Sequence, residues 1–290
     1  MLLAAGALAS CGKRESALPE PQSPQEMYER VRELLQPNVT HDASDFEQAL
    51  AWLHKAAEAG HLQAQTDLGG IYLEGGKGDV KPDGKMSYYW FSKAAEQGSK
   101  EALYYMGLIL HRGMQMERDE AKAMSLWQQA AEAGVGEAQY ALGMALSVKE
   151  ESIQQGLPWL IRAVEAPAPK LAAKAACALG NIYATGKQGI PRNMAEAVRW
   201  YEIAARGGEA SAQLVYAILL LQGEQVPKDE KQGMSYLRLA AGQDNLQAIA
   251  LLVNLLRNGS PSDESEQEAN AWAERLEKLR QNAAESKPAS

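Results

Sequence analysis

Few residues in this chain are placed to do chemistry. Its histidines are His41, His54, His61 and His111. No two stand at the i, i+4 spacing that puts imidazoles on one helix face, and neither Cys11 nor Cys177 is near them, so zinc ligation is not expected. His54 and His61 flank a helix stop, where a cation also suits the dipole. Gly78-Asp79-Val80-Lys81-Pro82-Asp83-Gly84-Lys85 has the outline of a phosphate loop. Five residues separate its glycines instead of four, Met86 stands where a magnesium-binding hydroxyl is needed, and no strand leads into it. A turn between helices accounts for these glycines. A Ser-x-x-Lys pair, Ser10 and Lys13, lies across a presumed cleavage site and cannot supply a nucleophile to a mature chain. Glu150-Glu151 reads as solvated loop charge, and Cys177 as a small packed residue in mid-helix. No catalytic, cofactor-binding or metal-binding residue is assigned, and no cofactor is expected.

The chain has 290 residues, room for one large domain or two ordinary ones. It is 46% hydrophobic and 23% charged, as soluble proteins are. There are 49 alanines against 2 phenylalanines, a balance that favours helices over strands. The net charge of -8 argues against nucleic acid, whose phosphates need clustered Lys and Arg. Two cysteines exclude a disulfide scaffold and a Cys-rich zinc site.

An internal repeat organises the chain. Ala64, Leu68, Gly69, Tyr72 and Gly75 set a frame that returns at Ala102, Ala138, Ala175, Ala212 and Ala248, with steps of 38, 36, 37, 37 and 36 residues. Between these frames lies a second block, as in Trp90-Phe91 before Ala94-Ala95 and Trp200-Tyr201 before Ala204-Ala205. These blocks end in Gly60, Gly98, Gly134 or Gly207, which are helix stop signals. Each unit therefore reads as two helices. In the first, Ala, Leu, Gly and Tyr at i, i+4, i+5 and i+8 share one face, and the Gly admits a neighbouring helix closely. The second starts at an N-cap, Asp83, Asp119, Asn193 or Asp229, with Glu196 at capping-box spacing from Asn193. No unit can bury its apolar face alone, so neighbours must stack. The expected fold is all-α, an α/α solenoid of about six to seven antiparallel helix pairs.

The pattern A-x-x-x-L-G-x-x-Y-x-x-G, a short loop with Asp, then W-[YF]-x-x-A-A-x-x-G resembles the Sel-one-like repeat, a relative of the tetratricopeptide repeat, over roughly residues 45–258. The copy at Ala138 departs from it, with Lys149 for the turn Gly and Ala166-Pro167-Ala168-Pro169 for the stop. The copy at Ala212 has Ala217 where Gly belongs. A Cys-rich branch of the family is linked to β-lactam binding. This chain lacks the repeat disulfides of that branch, which disfavours an envelope hydrolase of β-lactam type.

The ends are read separately. Residues 1–9 (MLLAAGALA) are apolar but too short to span a membrane; they suit a secretory signal. Leu8-Ala9-Ser10-Cys11-Gly12 resembles the lipobox of bacterial lipoproteins, which makes Cys11 the lipid attachment residue. No Lys or Arg precedes Cys11, so the full leader is expected to begin upstream. Residues 12–24, with Pro19, Pro21 and Pro24, form the expected tether, and residues 25–258 the solenoid. Residues 259–284 form a capping helix with Trp272, Leu276 and Leu279 on one stripe, and 285–290 a disordered tail.

By resemblance to tetratricopeptide domains, the i+2, i+6 and i+9 positions of each first helix line an inner groove. Tyr104, Leu108, His111, Tyr140, Met144, Asn181, Leu214 and Ile218 fall there, which suits an apolar peptide or helix. The alternative is that a tightly wound superhelix buries the same residues as core. The expected function is a lipid-anchored scaffold of the bacterial cell envelope, an outer-membrane lipoprotein facing the periplasm, that binds a protein partner without catalysis. A role as accessory lipoprotein in secretion or polysaccharide export, or in host contact, is the nearest alternative by family analogy.

Overall fold

A computed structural model of the chain describes residues 21–36, 40–76, 80–187, 189–259 and 263–285. Cys11, the apolar leader, the tether up to residue 20, the first two residues of the phosphate-loop look-alike and the tail 286–290 lie outside the described residues. Fourteen α-helices occur among them: α1 (Pro24–Leu34), α2 (Ala43–Glu58), α3 (Leu62–Glu74), α4 (Gly84–Glu96), α5 (Lys100–Arg112), α6 (Glu120–Glu132), α7 (Gly136–Val148), α8 (Ile153–Glu165), α9 (Pro169–Thr185), α10 (Met194–Arg206), α11 (Ala210–Gln222), α12 (Glu230–Gly242), α13 (Leu246–Asn258) and α14 (Asp263–Glu285). The described residues contain no strand, only two isolated bridges, Gly76 with Val80 and Lys187 with Ile190. The chain divides into two compact units between Gln97 and Gly98. In the first, α1 packs on α2, α2 on α3 and α3 on α4; in the second, each helix from α5 to α14 packs on the next. This is the expected all-α solenoid of helix pairs.

The repeat frame is a packing rule. In four pairs the Gly of the first helix faces a large side chain of the second. A Cβ on Gly69 would sit 2.7 Å from the Phe91 ring, on Gly107 2.6 Å from Trp127 Nε1, on Gly143 2.8 Å from Leu160, and on Gly180 2.8 Å from Tyr201. Those distances lie inside van der Waals contact, so only Gly lets the helices meet. The first Ala of each pair in the second helices is fully buried: Ala56, Ala94, Ala130, Ala204 and Ala240. Ala217 replaces the Gly in α11, and there Gly233 of α12 provides the small residue: a Cβ on it would lie 3.2 Å from the Ala217 carbonyl.

The joints between pairs use one device. Gly60, Gly134 and Gly208 take φ of +90°, +91° and +90°, and Asp244 takes +61°. The next N–H then reaches back into the last turn: His61 to the Ala56 carbonyl at 2.9 Å, Val135 to Ala130 at 3.0 Å, Glu209 to Ala204 at 3.0 Å and Asn245 to Ala240 at 3.3 Å. This satisfies carbonyls a helix end would otherwise leave orphaned. The left-handed residue of the joint between α10 and α11 is Gly208, not the expected Gly207, whose φ is -75°. Buried glutamines tie successive pairs together. Gln65 donates to the Ala57 carbonyl at 3.0 Å and accepts from Gln97 at 2.7 Å; Gln213 donates to Ala205 at 3.2 Å and accepts from Gln243 at 2.9 Å.

Each expected N-cap accepts a backbone N–H: Asp83 from Lys85 and Met86, Asp119 from Lys122, Asn193 from Glu196 and Asp229 from Gln232. At the start of the described chain, Ser23 caps α1 and Pro24 occupies its first turn. Pro24, the last residue of the expected tether, therefore opens the helix with Ser23 as its cap, because Pro at N1 lacks only an N–H that has no partner there. Glu285, expected in the tail, is the last residue of α14.

Candidate functional site

The copy at Ala138 is where the repeat loosens. α7 ends without a glycine stop, at Lys149 in extended conformation, and a single 3-10 turn at Glu150–Ser152 follows. α8 ends at extended Ala166, and Pro169 opens α9, which at 17 residues outlasts the 13 of α7 and α11. Between α7 and α9, two first helices, lies a cavity of about 700 Å³. That volume is in the range of small-ligand and peptide-anchor pockets.

Tyr140, Met144 and Asn181 line this cavity together with Ser147 and Cys177, all from the i+2, i+6, i+9 column. Met144 is 37% exposed and Asn181 is exposed. The column does not form one continuous site. Tyr104, Leu108 and His111 on α5 are half-buried and lie outside the cavity's lining. Burial raises the Tyr104 hydroxyl pKa, with Tyr105 and Glu137 adding to it. His111 bonds Glu120 at 2.9 Å. Leu214 is a correction: it is 7% exposed and packs with Leu237, Ile249 and Leu252. Ile218 packs against the same cluster. α12 and α13 cover this part of α11, so its column serves the core.

The cavity also contains charges that the column did not include: Lys174, Lys187 and Glu209. Lys174 stands one turn before Cys177, one residue ahead of the frame's Ala175 and just after the extra turn at the start of α9. Lys187 follows the end of α9 and donates to the Ser147 carbonyl at 3.2 Å. Glu209 precedes α11 and is its N-cap by backbone position only, with no side-chain bond.

The reactive groups of the cavity are held in quiet states. Burial pushes the Cys177 thiol up to about 11, and the Glu209 carboxylate adds to this, so the thiol is protonated at neutral pH. Burial likewise raises Tyr140, with Cys177 and Glu209 reinforcing it, and pushes Tyr201 up to about 12. Ser147 Oγ donates to the Gly143 carbonyl at 2.7 Å and Thr185 Oγ1 to the Asn181 carbonyl at 2.8 Å. Hydroxyls occupied by their own helices, with no histidine in the lining, are poor nucleophiles. Among the described residues no group of three or more His, Cys, Asp or Glu could hold a metal ion, and no helix is long and apolar enough to cross a membrane.

The comparisons agree with this architecture. Residues 41–61, 62–99, 100–135, 136–166, 173–209 and 210–245 each match the Sel1 repeat. The segment 167–172, the irregular joint, falls between two matched copies. The chain is 33% identical over 237 residues to the Chitin synthase regulator SKT5 of Saccharomyces cerevisiae, which covers 78% of this chain and 34% of that protein. It is 27% identical over 209 residues to an uncharacterized protein of Neisseria meningitidis serogroup B, covering 72% and 42%. The chain thus spans about a third of the yeast regulator's length. Among solved structures it resembles c5321, described as a protective antigen present in uropathogenic Escherichia coli strains, with TM-score 0.73 and 26% identity over 89% of this chain and 54% of that one. A Sel1 repeat protein from Oxalobacter formigenes gives TM-score 0.73 and 24% identity, covering 87% and 99%. With six copies of the repeat matched along its helix pairs, the chain belongs to the Sel1 repeat family.

Proposed function

We propose that this protein is a lipid-anchored scaffold of the bacterial cell envelope, held by Cys11, which binds a protein partner at the cavity between α7 and α9 and does no chemistry of its own. The observation that carries the binding reading is the cavity itself. It is large enough for a peptide anchor, exposes Met144, and holds its thiol and hydroxyls in unreactive states. The regulator name of the yeast relative supports a non-catalytic, protein-binding role. The lipobox resemblance supports the anchor and an outer-membrane location facing the periplasm. Likeness to a protective antigen favours host contact as the second reading, with service to a secretion or export assembly as a family analogy.

Crosslinking in the native host tests this. Wild type is compared with Cys11→Ala carrying a cleavable secretion signal, and with Tyr140→Ala plus Met144→Ala. An envelope partner lost in the first variant supports the anchored scaffold; loss in the second places the contact in the cavity. A partner retained at full affinity by the folded double variant sinks the cavity as its site.

A further inference from the structure

The cavity has two unlike walls. On α7 stand Tyr140, Met144 and Val148, with Met144 37% and Val148 74% exposed. Apolar side chains left open beside one another mark contact surfaces. The α9 wall carries hydrogen-bond donors. Tyr201 donates its hydroxyl to Asn181 Oδ1 at 2.8 Å, which fixes the amide and leaves its NH₂ group to donate into the cavity. Lys187, anchored on the Ser147 carbonyl, has N–H groups to spare. Lys174 forms no ion pair or hydrogen bond among the described residues. Against these two ammonium groups the lining sets one carboxylate, Glu209. On a chain of net charge -8 this is a local reversal of sign.

Spacing narrows the occupant. Lys174 to Thr185 covers about 16 Å of helix axis at 1.5 Å per residue, and Lys187 lies beyond. An extended chain covers that distance with about five residues, and its side chains alternate between two faces. Such alternation matches one apolar wall and one donor wall. A chain terminus would offer one carboxylate at one point, whereas these lysines stand at opposite ends of the α9 stripe.

We infer that the occupant is an internal, extended segment of a partner protein in which acidic residues facing Lys174 and Lys187 alternate with apolar residues facing Tyr140, Met144 and Val148. This rests on the binding reading above and replaces the apolar peptide expected from the sequence with an acidic and apolar one.

The test is fluorescence anisotropy with the full chain and three dye-labelled, capped pentapeptides: Glu-Leu-Glu-Phe-Glu, Gln-Leu-Gln-Phe-Gln and Glu-Ser-Glu-Ser-Glu. The first is expected to bind at least about tenfold more tightly than either control, the scale of two exposed ion pairs lost together. Lys174→Ala with Lys187→Ala should abolish the preference for Glu over Gln, and Met144→Ser the preference for Leu and Phe over Ser. Rising salt should weaken the first peptide most. Equal binding of the Glu and Gln peptides, still dependent on Met144, overturns the acidic partner and leaves the cavity as a binding site. Failure of all three to bind at millimolar protein overturns the inference, while partner capture by wild type against the Tyr140→Ala, Met144→Ala variant decides the broader reading independently.

Discussion

At Gly107 the fold depends on one missing carbon. Trp127 lies across it, donating its indole N–H to the Tyr104 carbonyl at 3.1 Å. A Cβ there would sit 2.6 Å from that nitrogen and 3.1 Å from the Ala123 carbonyl. The indole is 2% exposed and has no room to retreat. Gly107→Ala gains helix propensity, about 1 kcal/mol, yet overpacking of this kind costs roughly 1–3 kcal/mol. The strain should win, and urea unfolding should show a lower midpoint. A midpoint at or above wild type would mean the helices can separate freely at this contact. Cys177 makes a second claim at this scale. A thiol that burial pushes up to about 11 at a 9% exposed position should react with maleimide at pH 7 more than about tenfold more slowly than in the denatured chain. Mass spectrometry of the Cys177 peptide measures this apart from Cys11. Equal rates would contradict the packed, neutral thiol. The linkage sign is equally definite: a folded pKa above the unfolded value gives stability that is intact below about 9 and declines as pH rises toward 11.

At the scale of the helix, what was legible in the sequence was whatever has a local cause. Period and caps are local, so Asp83, Asp119, Asn193 and Asp229 announce the second helices. The first helices start less uniformly than the second. There the cap is His61, Ser99 or Asn245, while Val135 and Glu209 give no side-chain bond. His61 accepts the Ala64 N–H at Nδ1, 3.2 Å away, and its Nε2 meets Gln25 Oε1 at 3.0 Å. Both bonds together require the neutral ring protonated at Nε2. Burial lowers the pKa of His61, and that of His54 as well. A folded pKa below the unfolded 6.5 makes the contribution fully present above about 6.5 and lost as pH falls through the folded value. Hydrogen exchange should therefore show α3 opening more readily at pH 5 than at pH 7. His61→Asn, which caps without titrating, should remove much of that difference. If it leaves the pH dependence whole, the cap is not its source.

Across the whole molecule, stability is shared between neighbours, and this decided what sequence reasoning missed. Leu214 and Asn181 occupy the same kind of column, yet α12 and α13 bury Leu214 in a core cluster, while Asn181 stays open beside the cavity. No local pattern distinguishes them; the packing of later helices does. Lys174 and Lys187 escaped the column for a plainer reason: one stands a residue before the frame's Ala175 and the other two residues beyond the end of α9, outside the positions the column counts. The same dependence predicts how the second unit should fail. α14 covers the last pair: Ala269 and Leu276 are buried with Leu252 and Leu256 of α13. Arg238 grips Glu268 with two bonds of 2.7 and 2.9 Å, and Arg275 meets Asp244 at 2.6 Å. In a stack where each repeat contacts only its neighbours, loss is felt next door and fades with distance. Removing residues 260–290 should thus strip hydrogen-exchange protection from α12 and α13 and leave α5 to α8 close to wild type. The same truncation carrying Leu252→Ser and Leu256→Ser should stay more soluble, because the face uncovered in the simple truncation is apolar. Uniform loss of protection from α5 to α13 would instead mean that the second unit folds as one cooperative block, and the additive description of its repeats would have to be given up.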